Sequence, residues 1–517
     1  MTTAVSYRRQ GDIGVLRIAN PPVNALSQAV RAGLLEALAE GLADAEARAL
    51  VLLGDGRTFI AGADIREFGK PPQAPLLGEV IRRLEDSPKP IVAALHGHAL
   101  GGGLEVALGC HARIALSGTR LGLPEVKLGL LPGAGGTQRL PRLTGIDAAL
   151  ELITTGRPIQ ADQARRLGIV DAVGEDADPE AAGLALAREI LAGRRPARRS
   201  ADLPAPAADP AALERHRRRL AEERPYLFSP FRILEAVEAS ARLPLDEGLA
   251  QERELFAQCM ASPQRAGLIH AFFAARGTRR VPGASEAEAF TRLALLGEHP
   301  WFDELRHRAD KAGITLVDAP DDTCQACLVD EAAGDDAWRR AGDAGMPVVG
   351  VAREAAPRPR PELAAALRLI PAPQGHWREL LDLDAGATTQ QAIAESLGRL
   401  RQSVVVSRHS GLLVPLRRAL EVRLAEAGPG EIAGLARLGW ILDRPAAMES
   451  APTPASPEAV EALDRHLRRG LECAARALSH QQSGYRASDI DLLAVEGLGY
   501  PRHLGGPLYQ AEVRAAS

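Results

Sequence analysis

Three consecutive glycines, Gly101, Gly102 and Gly103, stand between a β-type run and an Ala/Leu-rich segment, and they constrain the fold more than any other feature. Pro90-Ile-Val-Ala-Ala-Leu95 reads as a strand, Gly97 opens a turn, and the glycines lead into a helix beginning at Leu104-Glu-Val-Ala107. Lacking a Cβ, glycines at such a turn let backbone N–H groups face a ligand. The helix start adds partial positive charge, so the two together make a seat for an anion or oxyanion. Upstream, Phe59-Ile-Ala-Gly-Ala-Asp-Ile-Arg66 places a second small-residue turn after a strand, a second source of donors. A tight strand–helix turn without any ligand fits these residues equally well.

Around this turn the sequence reads as α/β. Gly14-Val-Leu-Arg-Ile-Ala19 and Ala49-Leu-Val-Leu-Leu53 are strand-like, and Ser27 to Ala43 between them has apolar residues at helical spacing. At about 100–200 residues per domain, 517 residues make two to four domains. The expected boundaries are 1–190, a linker region 191–287, an alternating strand–helix region 288–390 and a mainly helical region 391–517. The linker opens with Arg194-Arg-Pro-Ala-Arg-Arg-Ser200, and Ala451-Pro-Thr-Pro-Ala-Ser-Pro457 interrupts the last region. Strands are expected at Leu293–Leu296, Ile314–Val317, Ala326–Asp330, Pro347–Val351 and Leu367–Ile370, which predicts a small parallel sheet.

Composition excludes several functions. Aromatic residues are only 3%, which removes the stacking platforms of single-strand nucleic-acid binders, and a net charge of −4 gives no footprint for DNA. No apolar run is long enough to span a membrane, and Met1-Thr-Thr-Ala-Val-Ser-Tyr-Arg-Arg9 has no secretory apolar core. Five cysteines in this length do not make a disulfide scaffold, so a cytoplasmic location is expected. Cys324-Gln-Ala-Cys327 lacks the second ligand pair that zinc needs. It reads first as two ordinary half-buried thiols and second as a redox dithiol. No metal is expected.

Two glutamates sharpen the reading. Glu105 sits in the first turn of the helix after the glycines, and Glu125 lies in Leu123-Pro-Glu-Val-Lys127. Another glycine-rich turn, Gly129-Leu-Leu-Pro-Gly-Ala-Gly-Gly-Thr-Gln-Arg139, follows. Two carboxylates converging beside an oxyanion seat can add water across an activated double bond, one deprotonating the water and the other protonating carbon. Either glutamate taken alone reads as a solvated surface charge.

Residues 10 to 190 resemble the crotonase family of enoyl-CoA hydratases and isomerases. Six motifs in the family's order carry the resemblance: Asn20-Pro-Pro-Val-Asn-Ala-Leu26, Ala61-Gly-Ala-Asp-Ile65, Ala99-Leu-Gly-Gly-Gly-Leu-Glu105, Leu123-Pro-Glu125, Pro132-Gly-Ala-Gly-Gly-Thr137 and Thr155-Gly-Arg-Pro-Ile-Gln-Ala161. The resemblance implies a thioester carbonyl held by the N–H groups of Ala63 and Gly102, with Asp64, Ile65 and Gly133 lining the same acyl-CoA site. Glu125 is then the proton donor to C2, and Glu105 orients and activates water. Pure isomerases of the family generally keep only the second carboxylate, so the pair favours a hydratase.

The remainder resembles the α-subunits of fatty-acid oxidation complexes, in which a crotonase domain precedes a 3-hydroxyacyl-CoA dehydrogenase. Pro244-Leu-Asp-Glu-Gly-Leu-Ala-Gln-Glu-Arg-Glu-Leu-Phe256 looks like their linker helix, and Gly497-Leu-Gly-Tyr-Pro-Arg-His-Leu-Gly-Gly-Pro507 like the end of their C-terminal domain. The implied fold class is α/β: a crotonase (ββα spiral) domain, linker helices, a shortened Rossmann-like domain and a C-terminal helical domain. A thiolase-like partner or self-association is a further expectation. The dehydrogenase chemistry does not follow. Where a dinucleotide site needs G-x-G-x-x-G, this chain has Gly297-Glu-His-Pro-Trp-Phe302, so Glu298 brings negative charge and Trp301 and Phe302 add bulk. Asp318 stands where a ribose-binding acid would sit. The family's His, Glu and Asn positions fall on Leu369, Asp382 and Pro415, with His376 nearby as a substitute. No NAD binding is expected, and no other cofactor is required.

Overall fold

The computed structural model of the protein describes residues 4–67, 70–175, 178–278, 280–281, 283–352, 360–372, 375–383, 385–408, 411–442, 453–481 and 486–516. The chain divides into two compact units between Arg265 and Ala266.

The first unit begins with strands β1 (Val5–Gln10) and β2 (Ile13–Ile18), helix α1 (Gln28–Ala43) and strand β3 (Ala49–Gly54). Helix α2 (Leu77–Glu85), strands β4 (Ile91–Leu95) and β5 (His98–Leu100) and helix α3 (Gly102–Leu108) follow. Next come β6 (Ala112–Leu116), β7 (Arg120–Gly122), α4 (Gly136–Thr144), α5 (Ile146–Thr155) and β8 (Ile159–Gln160). Helix α6 (Ala161–Arg166), strand β9 (Ala172–Gly174) and helices α7 (Pro179–Leu191), α8 (Pro210–Glu223), α9 (Ser229–Arg242) and α10 (Leu245–Ala261) complete it.

Helix α1 forms where Val30, Leu34, Ala37 and Leu38 recur on one buried face, and the Ser27 side chain accepts the Val30 N–H at its start. Strands β3 and β4 are apolar and buried along their whole length, as parallel strands covered on both faces must be. They sit in a six-stranded sheet of order β1-β2-β3-β4-β6-β9, antiparallel only at β1–β2. A second sheet has the order β5-β7-β8. The segments β4–β5–α3 and β6–β7–α4 repeat one pattern: a strand of the long sheet, a strand of the short sheet, then a helix. That repeat delivers the starts of α3 and α4 to the same place.

The segment expected as linker, 191–287, divides differently. Helices α8 to α10 belong to the first unit, because Ala212, Leu220, Ile233, Val237, Leu255 and Cys259 join the same apolar core as Leu104, Leu140 and Leu150. Helices with a continuous apolar face bury it on the nearest complementary surface, here that of α4 and α5.

The second unit takes up most of helix α11 (Pro263–Gly277), then β10 (Arg292–Leu296), α12 (Pro300–Ala312), β11 (Thr315–Val317), β12 (Ala326–Asp330), α13 (Asp335–Asp343) and β13 (Val348–Ala352). A hairpin of β14 (Leu363–Ala372) and β15 (Gly375–Asp382), helix α14 (Ala387–Arg399) and strand β16 (Ser403–Arg408) follow. The seven-stranded sheet has the order β11-β10-β12-β13-β14-β15-β16 and is parallel except at β14–β15. All five expected strands are present. The sheet also runs past the expected boundary at 390, because the apolar run Val404–Val406 pairs in parallel with β15 after the α14 crossover. Helices α15 (Leu413–Leu424), α16 (Pro429–Gly434), α17 (Pro457–Gln481), α18 (Ala487–Leu492) and α19 (Pro507–Ala516) gather round Leu416, Leu467, Leu471 and Leu493. The Pro-rich stretch at Ala451 begins outside the described residues.

Candidate active site

The two small-residue turns meet edge to edge. Leu26 N–H donates to Gly62 O at 3.0 Å, and Leu100 N–H donates to Ile60 O at 3.1 Å, which straps the 59–63 segment beside the glycine turn. Gly102 is the first residue of α3, so its N–H has no partner inside the helix. A Cβ built on Gly102 would stand 3.7 Å from the Ala63 nitrogen, so these two amides are neighbours. Gly101 has φ +54°, and a Cβ there would lie 2.9 Å from Glu125 Oε1. Only glycine satisfies both its backbone and that approach.

Glu105 and Glu125 converge on this place. Glu105 is buried in the first turn of α3, and its Oε1 accepts the N–H groups of Ala134 at 2.8 Å and Gly136 at 2.9 Å. Burial raises its pKa, opposed by those two amides and by Arg139. Glu125 opens a short 3-10 turn, Glu125–Leu128. Its Oε2 is buried and finds no hydrogen-bond partner among the described residues. Burial, then the charge of Glu105, push its pKa well above the ordinary carboxylate range, with a smaller push from Glu252. The two carboxyls therefore differ in kind. Two amides from another turn offset the burial of one, whereas only its own backbone amide offsets the burial of the other.

Glu252 was not foreseen from the sequence. It lies on α10, is 1% exposed, and accepts Gly135 N–H at 2.6 Å and Thr137 N–H at 3.0 Å, with the Thr137 hydroxyl as a third donor. Burial and Glu105 push it up to about 8. The available signal was a carboxylate on an apolar stripe, with Leu249 three residues before it and Leu255 and Cys259 following at helical spacing. Among the described residues, no cluster of three His, Cys, Asp or Glu side chains is set to hold a metal ion.

Gly133, Asp64 and Ile65 were also expected to line the site. Gly133 backs onto α10, where a Cβ would sit 2.6 Å from the Phe256 ring. The Asp64 carboxylate is taken by Arg66, whose Nη2 donates at 2.7 Å and whose backbone N–H donates at 3.0 Å, so it braces its own turn. The Ile65 side chain lies outside the described residues.

In the second unit, Gly297 follows β10 with φ +108°, and a Cβ there would lie 2.6 Å from the Asp330 Cβ. The start of α12 is closed from within. His299 Nδ1 accepts the Trp301 N–H at 3.1 Å, and Pro300 has no N–H to give. Trp301 and Phe302 turn into the core rather than over the loop. The bulk expected to block a phosphate is thus in the wrong direction, and His299 and Pro300 close the seat instead. Asp318 is 84% exposed and pairs with Arg306. The buried polar pair of this sheet is Arg368–Glu379, facing across β14–β15 at 2.6 Å, not Leu369 with Asp382. Leu369 packs against the apolar core. Glu379 also accepts Ser407 Oγ at 2.8 Å and the Leu412 N–H just before α15, the helix that holds Pro415. The side chains of Asp382 and His376 lie outside the described residues.

No helix among the described residues is long and apolar enough to cross a membrane. Residues 8–201 match the family model described as enoyl-CoA hydratase/isomerase. The chain is similar to the peroxisomal bifunctional enzyme of Danio rerio, 44% identical over 266 residues that make 51% of this chain and 37% of that protein. The human peroxisomal bifunctional enzyme is 42% identical over 276 residues, 52% of this chain and 38% of that one. The glyoxysomal fatty acid beta-oxidation multifunctional protein MFP-a of Brassica napus is 37% identical over 313 residues, 57% of this chain and 43% of its own length. The chain thus spans about two fifths of the length of these relatives. Its N-terminal part is a crotonase domain of the enoyl-CoA hydratase/isomerase family.

Proposed function

We propose that the chain hydrates 2-enoyl-CoA thioesters. The observation that carries this reading is the unequal pair: Glu105 with two amide donors, Glu125 with a buried oxygen lacking any. Ala63 and Gly102 hold the thioester carbonyl, and their N–H groups stabilise the enolate as charge moves onto oxygen. Removing one donor from such a hole costs about 10²–10³ in rate. Glu105, oriented by the two amides, takes a proton from water as the oxygen bonds to C3. Glu125, kept protonated, gives its proton to C2. One water is consumed, and a proton passing from Glu105 back to Glu125 resets the pair.

In this reading the second unit is a degenerate Rossmann-like and C-terminal helical remnant of a 3-hydroxyacyl-CoA dehydrogenase. NAD does not fit it. Its pyrophosphate needs free amides at a helix start, and those of α12 are taken by His299 or absent at Pro300. The five cysteines are free thiols, which suits a reducing compartment such as the cytoplasm. The test is to supply crotonyl-CoA and follow loss of the enoyl absorbance, with NADH formation from 3-hydroxybutyryl-CoA read in parallel. Absent hydration, or hydration unchanged in Glu125→Gln, refutes the hydratase reading.

A further inference from the structure

The turn from Gly133 to Thr137 gives its amides alternately to two carboxylates. Ala134 and Gly136 donate to Glu105, whereas Gly135 and Thr137 donate to Glu252. The last two are among the first N–H groups of α4 or stand just before it, donors that need a partner from outside the helix. A local Ser, Thr or Asp is the usual cap. Here the cap is a carboxylate 115 residues along the chain from Thr137. A buried carboxylate is costly unless a cation or several donors offset it.

Among the described residues no cation pairs with it. Arg139 of α4 is committed to Glu85, at 2.7 Å and 3.2 Å. Arg142 of α4 gives Nη1 to Gln138 O. On α9, Arg232 and Glu235 pair with each other. The groups left facing Glu252 are Glu105 from α3 and, further off, Glu125. A third carboxyl at this place is a structural liability unless its charge is used.

Resting on the hydratase reading, we propose that Glu252 is a positioning residue of the water-adding site: it holds the Gly133–Thr137 turn so that Ala134 and Gly136 converge on Glu105, and its charge sets the pH range in which Glu105 and Glu125 act as base and acid. Burial and Glu105 bring its own titration up to about 8, into the range where the site works. The three carboxyls then lose protons as a group, and each ionisation raises the pKa of the next.

The experiment compares pH profiles of kcat/KM for wild type, Glu252→Gln and Glu252→Asp, with crotonyl-CoA as substrate. Glu252→Gln removes the charge that holds the Glu125 proton, so the alkaline limb is expected to move to lower pH by about one unit. Activity near the wild-type midpoint then falls about fivefold. Glu252→Asp keeps the charge and is expected to keep the midpoint while lowering kcat, because the shortened side chain no longer spans both amides. A Glu252→Gln profile that overlays the wild type, whatever its Tm, overturns the proposal. A second readout needs no turnover: carboxyl-carbon NMR of protein labelled in glutamate, where the Glu125 midpoint should fall in Glu252→Gln. If wild type does not hydrate crotonyl-CoA, the functional reading fails, and this titration still decides whether the three groups are coupled. If Glu252→Gln does not fold, Thr137→Val removes one donor to Glu252 and should lower the Glu125 midpoint in the same direction. An unmoved midpoint there overturns the proposal.

Discussion

Gly101→Ala separates the position of the acid from the stability of the fold. The new Cβ meets Glu125 Oε1 at 2.9 Å, about half an ångström inside ordinary van der Waals contact. The obstacle is the tip of a side chain, so the fold need not break, and Glu125 retreats instead. A misplacement of about 1 Å costs up to 10²-fold, so half that is expected to lower kcat about tenfold. The backbone has its own cost, because φ +54° strains any residue with a Cβ by about 1–3 kcal/mol. Gly118→Ala supplies the control. Gly118 has φ +78°, and a Cβ there meets nothing within 4 Å. It should lose comparable stability and keep wild-type kcat. Each 1 kcal/mol lowers Tm by about 2–4 °C in a unit of this size. Crotonyl-CoA hydration at saturating substrate and thermal unfolding are measured on both variants. Equal kcat in the two would show that Glu125 is not the acid at the place described.

Glu125→Gln and Glu105→Gln are each expected to lower kcat about 10²–10⁴-fold with little change in Tm, measured by the same absorbance assay. The hydration rate should hold through neutral pH and fall as pH rises through the raised Glu125 value, because the proton for C2 is then lost; a profile rising toward alkali would contradict the assignment. The folded-state value of Glu252, about 8, lies above its unfolded one, so its contribution to stability is complete at acid pH and is lost as pH rises toward 8. Thermal unfolding of Glu252→Gln between pH 5 and 8 should show a flatter dependence than wild type. In the second unit, Glu379→Gln leaves Arg368 buried without its counter-charge and is expected to cost about 3–5 kcal/mol, read by chemical denaturation.

What the sequence disclosed and what it hid follow one physical line. The glycine turn, the pair Glu105 and Glu125, and five of the seven strands of the second unit were legible because each is encoded locally, in spacing and residue type. Glu252 was not, because its partners lie more than a hundred residues away and helix α10 looked like a connector. The helices to Arg265 read as linker for the same reason: an apolar face announces that it must be buried and does not say against what. Strand β15 and the Arg368–Glu379 pair were hidden by a register. Arg368 meets Glu379 through the pairing of β14 with β15, which no local pattern states.

The two units use the same raw material in opposite ways. Every helix starts with amides that lack partners, and what takes them decides whether the helix start can act on a ligand. In the second unit His299 takes the Trp301 amide of α12, and Glu379, locked to Arg368, takes the Leu412 amide beside α15. His299 is a neighbour in sequence, and Glu379 is neutralised by a buried guanidinium. In the first unit Gly102 opens α3 with no side-chain cap, and the amides at the start of α4 go to two carboxyls, Glu105 and Glu252. The charge of Glu105 raises the Glu252 pKa, so the protonation of one cap is felt by the other. Replacing the helix starts of one unit by those of the other would therefore not exchange functions. The amide geometry is common to both, and the difference lies in what accepts from those amides: an imidazole next in sequence and a carboxylate paired with a guanidinium in the second unit, two clustered carboxyls in the first.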